Sequence, residues 1–463
     1  MRLTRKQALA GAAAGALGAA GLYELVDKLA GESPNRVAAA GTLPPEQHVL
    51  DDVRTITDSD VEVLVPPLHH ELLTARVNVD RSDLADARRS LAGALAELEK
   101  QFAPTPAGLG ITLAYGLPYF ERLVPDAWRR HGPHDRRADK PVLLPGRRFP
   151  SDPPSTVLER NDVAILLRSD SRANIAAASR RLHGLGLFEL TSIRRGFAGG
   201  GFDGGLSLPK QMAMAAGVPG ADLIPDTAEL FLGFTSTLKS NLGPRRIVNF
   251  ETLGLVDLGR DGYFREGTHM HVSHIKEDLE NWYLNFDFQQ RVDTTFRPQL
   301  AVPSGRQTVA TPVHDLPDSA SVARDFHDRN TIGHSSSIQT TSRILADHVA
   351  HDGTVYRKGT AIPQRADFNT LDNPFFWSAD PKADAMSAQP SAGVHFVVFN
   401  PTGDDFERNR LAMDGVLPDG TRLPFFPRQR GQGFNDVLTT THRQNFLVPP
   451  RRHRSFPLAE LGA

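Results

Sequence analysis

The 463-residue chain contains no cysteine. That single absence excludes disulfides, thiolate catalysis, Cys-ligated zinc, and Cys-ligated haem or iron–sulfur clusters. Any metal is left to His, Asp, Glu or water, and 17 His make such chemistry available. An excess of positive charge is missing too, since 52 Lys and Arg face 54 Asp and Glu for a net charge of -2. Nucleic acid needs a basic footprint to neutralise phosphates and is excluded as a partner. Beyond the N-terminal segment no apolar run is long enough to cross a membrane. With 40% hydrophobic residues the chain can still bury one large core or two ordinary ones.

Arg2-Leu3-Thr4-Arg5-Lys6 opens the chain, and the run after Gln7 is Ala- and Gly-rich and uncharged until Glu24. A basic start, a short apolar stretch and small residues after it describe an export signal rather than a fold element. With Thr4-Arg5-Lys6 ahead of the weakly hydrophobic run, it resembles a twin-arginine signal whose second arginine is lysine. The resemblance implies the twin-arginine export machinery as a partner and a destination in the cell envelope or outside the cell. It also implies a cargo carried already folded, often with its cofactor inside. Ala38-Ala39-Ala40 offers a small-residue cleavage site, so 1–40 is read as signal and linker, and Leu43 to Val65 as a continuing polar linker.

From His70 the pattern becomes structural. Leu72, Thr74 and Arg76 alternate with Leu73, Ala75 and Val77, as a strand requires. Arg81 to Phe102 carries Leu84, Ala87, Leu91, Leu95 and Leu98 on one helical stripe. Gly108 to Tyr119 reads as a strand, Pro125 to Pro153 as a basic, Pro-rich loop, and Val163 to Leu167 as a buried strand. Ser171 to Leu185 is expected to be a helix and Leu187 to Ile193 a strand. This β-α-β, β-α-β order matches a ferredoxin-like α+β sandwich. The second half repeats it with insertions: Gly262 to Val272 as a strand, Lys276 to Phe286 as a helix with Trp282, Val394 to Phe399 as a strand and Asp404 to Met413 as a helix. The expected fold is therefore α+β, two ferredoxin-like βαββαβ halves (41–215 and 216–463) packed as a pseudo-duplicated sandwich, like a dimeric α+β barrel.

Three constellations carry chemistry. Gly333-His334 sits in a polar stretch read as a loop, about thirty residues before Gln364-Arg365-Ala366-Asp367-Phe368-Asn369. Leu230 to Ser236 precedes it, and the strand and helix at His395–Met413 follow. In that order these segments resemble the dye-decolourising peroxidase family, over most of the chain from about His70 to Gly415. The resemblance implies a haem b cofactor, with hydrogen peroxide and a reducing substrate as reactants. The family's Gly-Phe-x-Asp-Gly motif falls on Gly233-Phe234-Thr235-Ser236-Thr237, so the usual distal Asp is Ser236. The axial histidine falls on His334, or alternatively His327. Arg365 takes the distal arginine's place, and Phe234 and Asn369 join it around the cofactor. Gly200-Gly201-Phe202-Asp203-Gly204 is a second, weaker match that offers Asp203 as the acid.

A neutral imidazole can hold iron. Guanidinium, always protonated, can stabilise a developing anion. A serine hydroxyl is far too weak an acid to replace a carboxylate as a general base, a loss of about 10²–10⁴-fold in rate. That substitution favours an alternative: a catalytically weakened haem-binding or iron-handling secreted protein of the same fold. A third option is copper or zinc on His269 and His271, which share a face if 269–274 is a strand. His348 and His351 have helical spacing. A homo-oligomer is compatible with the sequence, which leaves the physiological substrate open.

Overall fold

The computed structural model describes residues 23–58, 61–198, 206–234, 247–259, 261–304, 317–371, 390–424 and 430–461, apart from 31–42. A short helix, α1 (Glu24–Ala30), comes first. Four strands follow, β1 (His69–Val77), β2 (Gly110–Tyr115), β3 (Val163–Ser169) and β4 (Phe188–Phe197). Helix α2 (Leu84–Gln101) lies between β1 and β2, and α3 (Arg172–His183) between β3 and β4. They pair antiparallel in the order β4-β1-β3-β2, the arrangement of a ferredoxin-like unit.

Helix α4 (Leu208–Ala215) leads to a second unit. Its strands are β5 (Thr268–Glu277), the interrupted pair β6 (Gln364–Arg365) and β7 (Phe368–Thr370), β8 (Gly393–Asn400) and β9 (Leu438–Val448). Helices α5 (Leu279–Leu284), α6 (Ser319–Arg329) and α7 (His334–Ser342) lie between β5 and β6, and α8 (Gly403–Met413) between β8 and β9. The order β9-β5-β8-β7 repeats that of the first unit. Asn369 pairs with Phe197 across one seam and Leu447 with Tyr115 across the other, so the two sheets close into a ring. The fold is α+β, two ferredoxin-like halves sharing one closed sheet.

Period-two burial explains the layering. Leu73, Ala75 and Val77 of β1 meet the apolar stripe of α2 outside the ring, with Ile165 and Leu167 of β3. Leu72, Ala164, Leu166, Met270, Val272 and Phe446 fill the inside. Each Val, Leu, Ile, Met or Phe among them contributes about 1.5–3 kcal/mol on burial. Ser171 caps α3 by accepting from Asn174 N, and Thr402 forms a capping box with Asp405 at the start of α8.

Several boundaries differ from the sequence expectation. The supposed linker 43–65 holds a hairpin, Thr55–Asp58 with Val61–Leu64, and a buried strap at Glu46, Gln47 and His48. Gln47 Nε2 donates to the carbonyls of Leu113 and Pro449, each at 2.8 Å, while its Oε1 accepts from Leu113 N at 2.8 Å. It thereby satisfies the backbone where β2 and β9 diverge, which is why polar residues are buried there. Pro125–His131 is a helix with Pro in its first turn, not loop. Strand β5 runs on to Glu277, because the cap at Asp278 delays α5. The polar stretch after Gly333 is helix α7.

Helix α1 packs against α4. Tyr23 and Val26 are buried there, the Tyr23 hydroxyl lies 3.2 Å from Thr370 Oγ1, and Asp27 meets His69 Nε2 at 2.6 Å. No helix among the described residues is long and apolar enough to cross a membrane.

Candidate functional site

A cavity of about 250 Å³ lies between the outer face of the second sheet and helices α7 and α8. Strand alternation supplies its floor: Ser273, Ile275 and Glu277 from β5, and Val394, Phe396 and Val398 from β8. Helix α7 contributes His334 and Ile338, and α8 contributes Phe406 and Arg410. Arg365, Asp367 and Asn369 enter from the β6–β7 edge.

His334 is the first residue of α7, and Gly333 before it is its N-cap. A Cβ on Gly333 would overlap the Phe296 carbonyl and stand 2.7 Å from Arg297 Cα, so only glycine lets the chain pass there. Ser336 N bonds Phe296 O at 2.9 Å, and Gly433 N bonds Ile332 O at 2.8 Å, fixing the helix start from both sides. The His334 ring lies 4.7 Å from the Phe434 ring. Helix α7 is almost apolar-free yet buried; its hydroxyls return to its own carbonyls, as in Ser337 Oγ to His334 O at 2.9 Å and Thr340 Oγ1 to Ser337 O at 2.7 Å.

Burial, Arg365 and Arg410 together push the His334 pKa down to about 3, so its imidazole is neutral across the physiological range. The Nδ1 atom of His334 is buried without a hydrogen-bond partner among the described residues. Opposite charges are managed at the rim: Asp152 accepts from Arg443 at 2.6 Å and lies 3.5 Å from Arg410, which also reaches Asp414 at 2.7 Å. One acid stands apart. Glu277 is pushed up to about 8, chiefly by burial and further by the charge of Asp367.

Of the residues singled out in the sequence, His334, Arg365, Phe234 and Asn369 line this one cavity. His327 does not: it projects from α6 into solvent beside Asp328 Oδ1 at 2.8 Å, because the buried face of that helix is Val322 and Phe326. Ser236 and Asp203 lie outside the described residues. His269 and His271 are buried under α8. There His271 stacks on Phe406 and meets Asn445 and Ser273 at 2.7 and 2.5 Å, so its nitrogens are engaged. Among the described residues no group of three His, Asp or Glu is placed to hold a metal ion. His348 belongs to a short hairpin and bonds Thr252 O, so its spacing from His351 is not helical. Sequence reasoning missed Glu277 and Asp367; the alternation Ser273, Ile275, Glu277 was the signal available for the first.

A family model for DUF7405, described as a family of unknown function, matches residues 67–450. No curated protein matches. Among solved structures, the DyP-type peroxidase from Cellulomonas bogoriensis is similar at 16% identity with a TM-score of 0.50, over 89% of this chain and 99% of that one. The encapsulated DyP-type peroxidase from Mycobacterium smegmatis is 16% identical with a TM-score of 0.48, over 84% and 95%. DyPB from Rhodococcus jostii is 14% identical with a TM-score of 0.47, over 90% and 99%. At such identities the likeness is one of fold: the two-unit α+β architecture is that of a DyP-type peroxidase.

Proposed function

This chain belongs to DUF7405, a family of unknown function, and we propose that it is a haem b protein that reduces peroxide at the expense of an organic donor. The observation that carries this reading is the half-buried imidazole of His334 at the wall of the cavity, which desolvation and two nearby arginines hold neutral. A single imidazole in this cavity, with no group of three His, Asp or Glu placed to hold a metal ion among the described residues and no thiolate anywhere in the chain, fits haem better than a bare metal ion. Haem bound there supplies an iron centre at which peroxide is reduced.

The chain's own residues would do the rest. His334 would hold the iron, and being neutral it would need no deprotonation to do so. Gly333 and the Phe296 carbonyl fix where that imidazole stands. Arg365 would bring permanent positive charge to the same cavity, where it could stabilise a developing anion. The aliphatic and aromatic walls from β8 and Phe406 exclude water and leave those charges weakly screened. A twin-arginine-like signal supports export of the folded, loaded protein to the cell envelope or beyond. Ser236, in the place of a distal acid, favours a second reading: a haem carrier or iron-handling protein of the same fold with weak turnover.

The test is the visible spectrum of protein made in a haem-replete bacterial host. The reading expects a Soret band at about one haem per chain that His334→Ala abolishes. It also expects hydrogen peroxide turnover that Arg365→Ala reduces by about 10²-fold or more. A colourless protein that refuses added hemin refutes the haem reading, and a Soret band without turnover selects the carrier.

A further inference from the structure

We infer that Glu277 and Asp367 form a carboxyl pair that shares one proton and performs the acid–base work of the cavity, a role that in its second half rests on the peroxide reading above. Glu277 is the last residue of β5 and turns to the cavity by the same alternation that turns Ser273 and Ile275. Asp367 lies in the break between β6 and β7 and lines the same space. Its Oδ1 stands 3.9 Å from Arg365 Nε. Glu277 Oε2 is buried and has no hydrogen-bond partner among the described residues.

A carboxyl group that faces a second one across a poorly hydrated space is harder to ionise, and Glu277 is held up in this way. Arg365 stands beside Asp367, while the charged form of Glu277 is opposed by burial and by Asp367, so the proton is placed on Glu277. The other groups facing Glu277 do not change this. The Tyr283 hydroxyl on α5 is held neutral by burial, His334 on α7 is neutral, and Arg410 and Arg443 are occupied by Asp152 and Asp414. Lys276 is the neighbouring residue on the other face of β5.

The pair therefore offers a base and an acid together. Asp367 takes a proton from one peroxide oxygen while Glu277 gives its proton to the other. The peroxide is left with both protons on one oxygen and its electrons unchanged. One proton has entered the pair and one has left it, and its return from Asp367 to Glu277 restores the starting state. Ser236 then has no proton to move.

Infrared titration of the full-length protein from pH 5 to pH 10 reads the pair directly, with or without haem. The wild type is expected to show a protonated-carboxyl C=O band that disappears near pH 8. Glu277→Gln should lack that band, and Asp367→Asn should lose it at a lower pH. Absence of such a band at pH 7, or its persistence in Glu277→Gln, overturns the pair; should Glu277→Gln not fold, an unmoved midpoint in Asp367→Asn does so. For the peroxide role, Glu277→Gln in haem-loaded protein should lower hydrogen peroxide turnover by about 10²-fold or more and remove the fall in rate near pH 8. An unchanged rate and profile overturn that role. A protein with the infrared band but no Soret band sinks the haem reading alone.

Discussion

Lowering the pH from 6.5 to 5 loads protons onto the unfolded chain while the folded chain refuses them. Burial pushes His48, His269 and His334 down to about 3, and His442 to about 4, against 6.5 for an exposed imidazole. A depressed folded pKa gives stability that is fully present above 6.5 and drains away as the pH falls from there towards 3 or 4. Over this interval each of the four removes between about 1 and 2 kcal/mol, or about 6 kcal/mol together. Glu277 works in the opposite direction. Its folded value of about 8 against an ordinary 4.5 means that acidification favours the folded form, returning about 2 kcal/mol. The net loss of about 4 kcal/mol is a large share of the roughly 5–15 kcal/mol that holds a domain folded. His70, His271, His274 and His395, also held low by burial, act with the same sign. Urea unfolding at pH 7, 6.5, 5.5 and 5 measures the slope. Stability that stays level or rises as the pH falls to 5 would refute the reasoning.

Other expectations follow from single contacts. Gly333→Ala forces a Cβ into the Phe296 carbonyl, where no rotamer can relieve it, and should cost about 1–3 kcal/mol; thermal melting checks the cost, and on the proposed haem reading a shifted Soret band would report the displaced imidazole. Gln47→Ala leaves Leu113 N and O and Pro449 O without their partner and should destabilise by about 2–3 kcal/mol in urea titration. If the carboxyl pair moves the proton, Ser236→Asp should change hydrogen peroxide turnover by less than about tenfold; a rise within the 10²–10⁴ range returns that role to position 236.

Much of the fold is written in periodicity, and the site is written where periodicity fails. The stripe of α2 and the run Val163 to Leu167 are plain because apolar side chains there face a core on one side or both. Helix α7 has no such stripe. Its Ser and Thr are buried because they bond their own carbonyls, so hydropathy presents a helix as a loop. Gly333-His334 was legible through resemblance, but the need for glycine comes from Phe296, thirty-seven residues away. Glu277 was hidden by a boundary. Lys276 to Phe286 has helical character, and only the cap at Asp278 shows that Glu277 still belongs to the strand. The buried strap around Gln47 reads as linker because satisfied and solvated polar groups look alike in sequence.

The docked helix α1 has a consequence for processing. Residues 23–30 lie upstream of Ala38-Ala39-Ala40, so a peptidase cutting there would sever a packed piece of the molecule from the rest. While the chain is intact, Tyr23 and Val26 meet their site at the high effective concentration that a short tether provides, about millimolar. After such a cut the same contacts would become an ordinary encounter between a separate peptide of about forty residues and a protein, lost by dilution. Thr370, beside the cavity residue Asn369, would lose the Tyr23 hydroxyl, and His69 would lose Asp27. If 1–40 acts as a leader, the place of its cleavage would decide whether its last helix is cargo or wrapping.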